Sequence, residues 1–447
     1  MDRRPRLGRA ALAGLLALVA LVARGLVVAW AAPRIPAAAD GTYYHTFAER
    51  LSRGAGYTWA WPDGAVTYAS HYPVGYPALL ALPYRLFGAH AGVAMAVNAV
   101  LGALLAVSLF VALSRAASRG LALGGALVVA LHPALVPYTP ALMTEGVTTT
   151  LVAAACAVGL ASRRRSLLGL AVAGLLLGAA TLARPQCIVL APAFGIVFAR
   201  ARTWGPRLGV AAGMTALALA VCAPWTVRNC VRMESCALVS VNGGWNLLIG
   251  AQTRGGAWEE VKVPDECRAV WDEAGKDACF GRAARRQILA DPRLWVAKMP
   301  QKLAVTFDYF GGAPWYLHQA NPEAFPYDAK VALGALETVA SRVLLIGALV
   351  AMARLRGRRR VARFGVGAAS LVSAASVHAW PAYLGLVAMG ALLGVRGLLR
   401  GPGVVPAALA VVGSTAALHA VFFGGGRYGL VAAPFVAALG FVQRRRG

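Results

Sequence analysis

Five charged residues lie beside long apolar segments, each within a short polar motif. The motifs are D-G-T-Y-Y, L-M-T-E, T-L-A-R-P, T-V-R-N and G-G-G-R-Y, which contain Asp40, Glu145, Arg184, Arg228 and Arg427. A charge near hydrocarbon is energetically costly, so such residues are functional candidates. Arginine binds phosphate through paired hydrogen bonds, and a carboxylate can accept the proton of an attacking hydroxyl. These residue types predict transfer from a phosphate-linked donor to a hydroxyl.

The segment 40–77 contains candidate contacts for a sugar or an acceptor. Eleven of its 38 residues are aromatic or histidine, a mixture that neither a soluble core nor a lipid-facing helix requires. The predicted contacts are Tyr43, Tyr44, His71, Tyr72 and, further along the chain, Asn242. A structural role is the alternative for three of them: His71 and Tyr72 precede a proline turn, and Asn242 begins an N-G-G turn.

The composition is that of an integral membrane protein. The chain has 447 residues, of which 59% are hydrophobic and 14% charged, whereas soluble domains carry about 25% charged residues. Apolar runs long enough to cross a hydrocarbon layer of ~30 Å recur along the sequence. We predict an α-helical polytopic protein with about 12 (11–13) transmembrane helices. The predicted spans are 10–30, 90–113, 120–138, 140–161, 166–183, 186–200, 206–225, 333–353, 361–376, 380–396, 404–423 and 427–442.

Two of these spans, between 166 and 200, are short enough to form a re-entrant pair instead. The helix expected at residues 77–86 is too short to span and is predicted to lie along the membrane interface. The N-terminus has the basic start of a signal peptide, but its apolar run is longer than a signal core, so we expect a retained first helix.

The orientation follows from the bias of lysine and arginine towards cytoplasmic loops. With a cytoplasmic N-terminus, one side of the membrane receives 23 cationic residues and a single acid, Asp2. The 23 are Arg3, Arg4, Arg6, Arg9, Arg115, Arg119, Arg163, Arg164, Arg165, Arg200, Arg202, Arg207, six arginines from Arg354 to Arg363, Arg396, Arg400, Arg444, Arg445 and Arg446. We therefore predict a bacterial inner-membrane protein with both termini in the cytoplasm and the candidate site facing the periplasm. The net charge of +26 reflects this topology, so no nucleic-acid partner is expected.

The predicted organisation has three parts: a transmembrane region (1–225) with a first outer, catalytic loop (31–89), an extracytoplasmic segment (226–330) and a C-terminal transmembrane region (331–447). In the segment we expect helices at 277–290 and 294–305. Four of the seven cysteines lie there, which fits one or two disulfides, Cys230–Cys236 and Cys267–Cys279 being the simplest pairing. A zinc site is the alternative, although the segment has no C-x-x-C and no histidine before His318.

The order of motifs resembles that of the GT-C superfamily of membrane glycosyltransferases, nearest to bacterial relatives of protein O-mannosyltransferase and the aminoarabinose transferase. The first motif is D-G-x-Y-Y…A-E-x-L-x-x-G-x-G-Y…Y-P-V-G-Y-P. T-L-A-R-P, P-W-T-V-R-N, V-S-V-N-G-G-W-N-L-L-I-G-A-Q and R-Y-G-L-V-A-A-P follow in order.

The resemblance implies a polyprenyl-phosphate-linked sugar donor, hexose or pentose, and an inverting transfer with Asp40 as the general base. The acceptor is a lipid, a polysaccharide or a protein. Many relatives carry two adjacent acids in this loop, whereas Gly41 follows Asp40 here, so Asp40 acts alone or with Glu145. We therefore predict no metal site and no required cofactor, with a divalent ion as the alternative. Arg184, Arg228 and Arg427 are the predicted ligands of the donor phosphate.

Four of the five charged residues also have a structural alternative. Asp40 could cap a helix, Glu145 could pair with an arginine, and Arg184 and Arg228 could extend to lipid headgroups. Trp315, Tyr316 and His318 are expected in an interfacial aromatic belt, with a platform for a sugar as the alternative. A secondary transporter or lipid-linked oligosaccharide flippase is the alternative function, but its usual internal repeats are not visible. A non-catalytic scaffold for envelope assembly is a third.

Overall fold

The computed structural model describes residues 8–162, 166–199, 201, 203–355 and 357–443. Several arginines used for the topology prediction lie outside the described residues: Arg3, Arg4, Arg6, Arg163, Arg164, Arg165, Arg200, Arg202, Arg356, Arg444, Arg445 and Arg446. The described chain is largely helical, with one short antiparallel hairpin of β1 (Thr58–Ala60) and β2 (Val66–Tyr68), in which Thr58 pairs with Tyr68.

The N-terminal half contains nine α-helices within the described ranges. They are α1 (Arg9–Ala31), α2 (Asp40–Ser52), α3 (Gly75–Phe87), α4 (Ala91–Leu113), α5 (Arg119–Ala130), α6 (Thr144–Ala161), α7 (Leu167–Ala183), α8 (Leu190–Phe198) and α9 (Trp204–Arg232). A 3₁₀ helix, Pro185–Val189, joins α7 to α8.

The segment 226–330 and the C-terminal region contain the remaining described helices. They are α10 (Gly243–Gln252), α11 (Asp265–Arg268), α12 (Glu273–Ala290), α13 (Pro292–Ala297), α14 (Met299–Phe307), α15 (Gly312–Ala320), α16 (Tyr327–Arg354), α17 (Arg360–Ala375), α18 (Trp380–Leu393), α19 (Val395–Arg400), α20 (Val404–Val421) and α21 (Ala433–Gly440). A second 3₁₀ helix, Gly426–Val431, precedes α21.

Among the described residues, six helices are long and apolar enough to cross a membrane: α1, α4, α6, α9, α16 and α20. Four shorter apolar elements accompany them: α5, α7, the 185–198 unit and α18. In the most apolar 18-residue stretch of α6, 72% is buried inside the protein, whereas the corresponding share is 22% in both α1 and α9. Helix α6 is therefore central, and the apolar outer faces of α1 and α9 suit contact with lipid. The total of twelve spans stays a prediction.

Proline and glycine account for the main differences from the predicted boundaries. The predicted span 120–138 ends at Ala130 and the span 140–161 begins only at Thr144, because Pro133, Pro137 and Pro140 interrupt the segment between them. The predicted helix 294–305 is divided into α13 and α14, with Pro300 in the first turn of α14. The predicted span 427–442 is a 3₁₀ helix followed by the eight-residue α21.

Both expected disulfides are present. Cys230 is bonded to Cys236 at the end of α9, and Cys267 is bonded to Cys279, which joins α11 to α12. The three cysteines of the apolar segments, Cys156, Cys187 and Cys222, are free and buried. Each disulfide thus closes one short stretch of the segment 226–330 covalently.

The start of α3 lies directly against the end of α7. A β-carbon on Gly75 would lie only 2.4 Å from the backbone nitrogen of Ala183, so only glycine allows this approach. Earlier in α7, a β-carbon on Gly178 would lie 2.8 Å from the carbonyl oxygen of Ala218 in α9. Small residues at such contacts let helix backbones approach in a membrane protein. The Gly75 contact fixes the first loop beside Arg184, the residue that follows α7.

Gly75→Ala is expected to destabilise the protein. The added methyl group would overlap the backbone of α7, and overpacking of this kind costs about 1–3 kcal/mol. The thermal unfolding temperature, measured in detergent, should fall. Gly213→Ala in α9 is the control, because a β-carbon there meets no atom within 4 Å. Equal unfolding temperatures for the two variants would contradict the proposed close contact.

Candidate functional site

Four of the five predicted charged residues meet in one cluster. Asp40 is the first residue of α2, Glu145 lies in the first turn of α6, Arg184 follows α7, and Arg427 lies in the second 3₁₀ helix. Arg427 Nη2 is 2.6 Å from Asp40 Oδ2, and Arg184 Nη1 is 2.8 Å from Glu145 Oε1. Arg427 Nε is 3.7 Å from the same Glu145 oxygen. The four side chains form a chain of alternating charges, which we call the charge cluster.

Tyr428 contacts both arginines of the charge cluster. The guanidinium carbons of Arg184 and Arg427 each lie 5.1 Å from the centroid of the Tyr428 ring, a cation–π distance. The ring is itself stacked on His419, with centroids 4.3 Å apart. The aromatic ring therefore helps to hold two like charges together. Sequence reasoning missed this residue, although its place directly after Arg427 in G-G-G-R-Y was a usable signal.

Glu145 acts as a counter-ion in this geometry. Its side chain is 3% exposed, and Oε1 accepts a hydrogen bond from Arg184. The other oxygen, Oε2, accepts one from the Tyr138 hydroxyl at 2.9 Å. Both carboxylate oxygens are thus occupied away from solvent. These contacts favour the structural alternative, pairing with arginine, over a role as proton acceptor.

Asp40 is the most exposed member of the charge cluster, at 34% of its side chain. It does not cap α2: the cap position belongs to Ala39 and has no side-chain hydrogen bond, so the helix-cap alternative is wrong. Ala39 has a φ of 50°, a left-handed value that is strained for alanine. Within the described chain, Asp40 Oδ2 bonds Arg427 while Oδ1 has no hydrogen-bond partner. One oxygen of Asp40 is therefore available to a substrate proton.

Tyr316 connects the loops that carry the two acids. Its hydroxyl oxygen accepts hydrogen bonds from the backbone nitrogens of Ala38, at 3.2 Å, and Leu142, at 3.3 Å. Only 1% of Tyr316 is exposed, so its expected place in an interfacial belt is wrong. Trp315 is closer to the site than expected, with Arg427 5.9 Å from its ring centroid. These contacts join residues far apart in sequence, which no local pattern indicates.

The predicted tyrosines form an aromatic group on α2 and the following loop. Tyr43 stacks on Tyr72, with centroids 4.8 Å apart, and Tyr44 contacts Tyr72 edge-on at 5.4 Å. Tyr43 is exposed and Tyr44 is buried. Burial, reinforced by the negative charges of Asp40 and Glu145, raises the pKa of Tyr44, so its hydroxyl stays protonated. The exposed face of Tyr43 is the surface of this group that a ligand could reach.

Glu273 fixes the loop that contains His71. Its carboxylate accepts hydrogen bonds from the backbone nitrogens of Ser70, at 2.5 Å, and His71, at 2.9 Å, and from the indole nitrogen of Trp59. The His71 ring packs edge-on against Trp245, with centroids 6.0 Å apart. Burial lowers the pKa of His71, so its imidazole is neutral at pH 7. Helix α12 thereby holds the loop that contains Ser70 and His71 in place.

Asn242 lies at the turn that begins α10. Its side-chain oxygen accepts a hydrogen bond from the Ser240 hydroxyl at 3.0 Å, and its carbonyl accepts one from Asn246 N at 3.0 Å. These contacts support the alternative in which Asn242 has a structural role in the turn. Its contact with an acceptor stays a prediction.

Arg228 is not part of the charge cluster. Its guanidinium donates to the carbonyl oxygens of Ala69, at 2.8 Å, and Tyr57, at 2.9 Å, and lies 4.8 Å from the ring centroid of Trp225. The side chain therefore fastens the first loop to the end of α9. Neither the predicted binding of donor phosphate nor the headgroup alternative is supported by these contacts, because both terminal nitrogens of Arg228 donate to groups within the protein.

No protein-family model matches the sequence, and no curated protein sequence matches it significantly. The structure is similar to the oligosaccharyltransferase AglB of Archaeoglobus fulgidus in complex with an inhibitory peptide and a dolichol-phosphate, with a TM-score of 0.48, 14% identity and coverage of 96% of this chain and 50% of that one. It is also similar to ArnT of Cupriavidus metallidurans bound to undecaprenyl phosphate, with a TM-score of 0.42, 16% identity and coverage of 95% and 76%.

The chain thus spans about half the length of the oligosaccharyltransferase that it matches. A further structure of the Archaeoglobus fulgidus enzyme, tethered to an acceptor peptide with the NVT sequon, has a TM-score of 0.48 at 12% identity. The oligosaccharyltransferase and ArnT are both GT-C membrane glycosyltransferases.

Glu145→Gln is expected to destabilise the protein far more than Asp40→Asn. Removing the charge of Glu145 leaves two arginines close together and mostly buried, and breaking a buried ion pair costs about 3–5 kcal/mol. Asp40 is partly solvated, so its replacement costs less. Thermal unfolding of both variants, measured in the same detergent, tests this order. A larger loss for Asp40→Asn would contradict the role of Glu145 as the central counter-ion.

Glu273→Gln is expected to loosen the first loop without unfolding the protein, because three hydrogen bonds to a carboxylate are weakened together. Hydrogen exchange of residues 57–72 should become faster. Glu266→Gln is the matched control on the same segment, since Glu266 pairs with Arg286 on the surface and such pairs contribute about 0–1 kcal/mol. Unchanged exchange in Glu273→Gln would show that other contacts hold the loop.

Proposed function

We propose that this protein is a membrane glycosyltransferase that moves a sugar from a polyprenyl-phosphate-linked donor to an acceptor hydroxyl. The observation that carries the proposal is the charge cluster, in which two arginines and two acids are assembled from four motifs far apart in the sequence. The motif order, which resembles that of GT-C enzymes, supports the same function. The reaction proposed is a single displacement at the anomeric carbon, which inverts its configuration.

Arg184 and Arg427 are the proposed ligands of the donor phosphate. Among the described residues, the only hydrogen bond of Arg427 Nη1 is to the sulfur of Met143, at 3.2 Å, and a thioether is a weak acceptor that a phosphate oxygen would readily replace. The four charges of the cluster sum to zero. A bound phosphate would therefore be an additional anion, and directed N–H groups would hold it. These groups would also stabilise the negative charge that develops on the phosphate as the sugar leaves.

Asp40 is the proposed general base. Its free oxygen, Oδ1, would accept the proton of the acceptor hydroxyl as the hydroxyl oxygen attacks the anomeric carbon. The bond between that carbon and the phosphate oxygen breaks at the same time, and its electron pair remains on the phosphate. Glu145 does not take part in this transfer: it holds the two arginines in place.

The aromatic group is the proposed site for the sugar or the acceptor. The exposed ring of Tyr43 lies on the same helix as Asp40, and Tyr72 and His71 border it. We propose a hexose or pentose as the sugar, a lipid, polysaccharide or protein as the acceptor, and no required cofactor. The distribution of arginines in the sequence supports a bacterial inner membrane, cytoplasmic termini and a site that faces the periplasm.

Purified protein in lipid nanodiscs is expected to consume one radiolabelled polyprenyl-phosphate sugar from a panel of hexose and pentose donors, with and without a chelator. Asp40→Asn should reduce turnover by about 10²–10⁴-fold, because the general base is lost. Asp63→Asn is the matched control in the same loop, an exposed residue whose only described hydrogen bond is to the backbone of Ala65. Unimpaired turnover by Asp40→Asn would overturn the proposed mechanism, and failure to consume any donor with lipid, polysaccharide and peptide acceptors would overturn the proposed function.

A further inference from the structure

Helix α3 carries both buried and exposed apolar residues. Tyr76, Leu80 and Tyr84 are buried against the protein, with 2% exposure or less. The exposed apolar residues, called the apolar stripe, are Leu79 (40%), Leu82 (63%) and Leu86 (65%), which share one side of the helix, and Phe87 (72%), its last residue. A helix of 13 residues is about 20 Å long and cannot cross a hydrocarbon layer of ~30 Å. Such a helix instead lies along the membrane surface with its exposed apolar face in the acyl chains.

A cavity of about 430 Å³ opens where α2 and α3 end. It is lined by Ser52, Arg53, Tyr84, Arg85, Gly88 and Ala89. Leu86 and Phe87 of the apolar stripe directly follow Arg85 in the sequence. The cavity therefore combines two cations with a neighbouring exposed apolar surface.

Both arginines of the cavity keep donor groups available. The only described hydrogen bond of the Arg85 side chain is from Nη1 to the carbonyl oxygen of Ser52, at 3.1 Å. Arg53 pairs with Glu49 at 2.6 Å, and its side chain is 71% exposed. An exposed pair with this i,i+4 spacing contributes only about 0.3–0.5 kcal/mol, so Arg53 can exchange it for another anion at little cost.

We propose that this cavity binds the phosphate group of an anionic phospholipid in the leaflet on the side of the charge cluster. Arg53 and Arg85 donate hydrogen bonds to the phosphate oxygens, and the acyl chains lie along the apolar stripe. Guanidinium groups match phosphate geometry through paired N–H donors. A zwitterionic lipid binds less well, because its own ammonium group offsets the attraction to two arginines.

The bound lipid would also position the helix that begins with Asp40. Helix α2 runs from Asp40 to Ser52, so the cavity lies about 18 Å from the charge cluster along one rigid element. A hydrogen bond at 2.6 Å between His45 Nδ1 and the Tyr84 hydroxyl joins α2 to α3. A lipid that holds the ends of both helices would thus stabilise the first loop. The lipid site itself does not depend on the proposed transferase activity.

Lipid binding can be measured without any activity assay, on the full-length protein purified in detergent and delipidated. We expect phosphatidylglycerol to raise the unfolding temperature and to be retained in native mass spectrometry, and phosphatidylcholine to do so much less. The double variant Arg53→Gln/Arg85→Gln should bind phosphatidylglycerol at least about tenfold more weakly, because two charge-assisted hydrogen bonds are lost. Arg53→Lys/Arg85→Lys, which keeps the charges, should recover part of the affinity.

Two controls separate the alternatives. Arg254→Gln removes an exposed arginine outside the cavity and should bind phosphatidylglycerol like the wild type. Addition of inorganic phosphate tests whether the site recognises the phosphate group alone, without the acyl chains of a lipid. The proposal is overturned if the double variant binds phosphatidylglycerol normally, if phosphatidylcholine binds equally well, or if inorganic phosphate stabilises the protein as much as the lipid does. Unfolding temperatures without lipid show whether each variant is folded.

Discussion

The ion pairs between Asp40, Glu145, Arg184 and Arg427 are the constraint on which the rest of the structure depends. Charges that leave water are costly unless each has a partner at hydrogen-bond distance. Asp40 and Arg427 are 387 positions apart in the sequence, yet their side chains are 2.6 Å apart. The beginnings of α2 and α6, the end of α7 and the 3₁₀ helix before α21 must therefore meet at one point. The close contact at Gly75 and the hydrogen bonds of Tyr316 serve this same requirement.

Exposure within the charge cluster separates the residues that hold the site from the one suited to react. The exposed side-chain fraction rises from 3% in Glu145 through 11% in Arg184 and 20% in Arg427 to 34% in Asp40. The deepest acid is fully hydrogen-bonded, and the outermost acid has a free oxygen. A catalytic site needs both conditions: arginines whose geometry is set before substrate arrives, and one group that still has capacity to accept a proton.

The loop of residues 57–72 depends on a second set of contacts, made by α9 and α12. Arg228 fastens its backbone from one side, Glu273 does so from the other, and Asn229 accepts a hydrogen bond from the Ser70 hydroxyl at 3.0 Å. A loop rich in aromatic residues beside a membrane would otherwise have many ways to bury its rings. The disulfide between Cys267 and Cys279 strengthens the helix that presents Glu273. The segment 226–330 thus functions as a support for the first loop.

The sequence alone predicted a largely helical membrane protein, the positions of most apolar helices and, with a zinc site as the alternative, both disulfides. These features follow from local properties: the length of apolar runs, prolines at helix ends, and cysteines close together in the chain. It also identified four members of the charge cluster, because a charge beside an apolar run is conspicuous. Only the tertiary structure separated Arg228 from that cluster and brought Tyr138, Tyr316 and Tyr428 to it. The physical reason is that a buried hydroxyl or guanidinium forms its hydrogen bond with whichever group the packed helices bring within about 3 Å. In these cases that group is distant in the sequence.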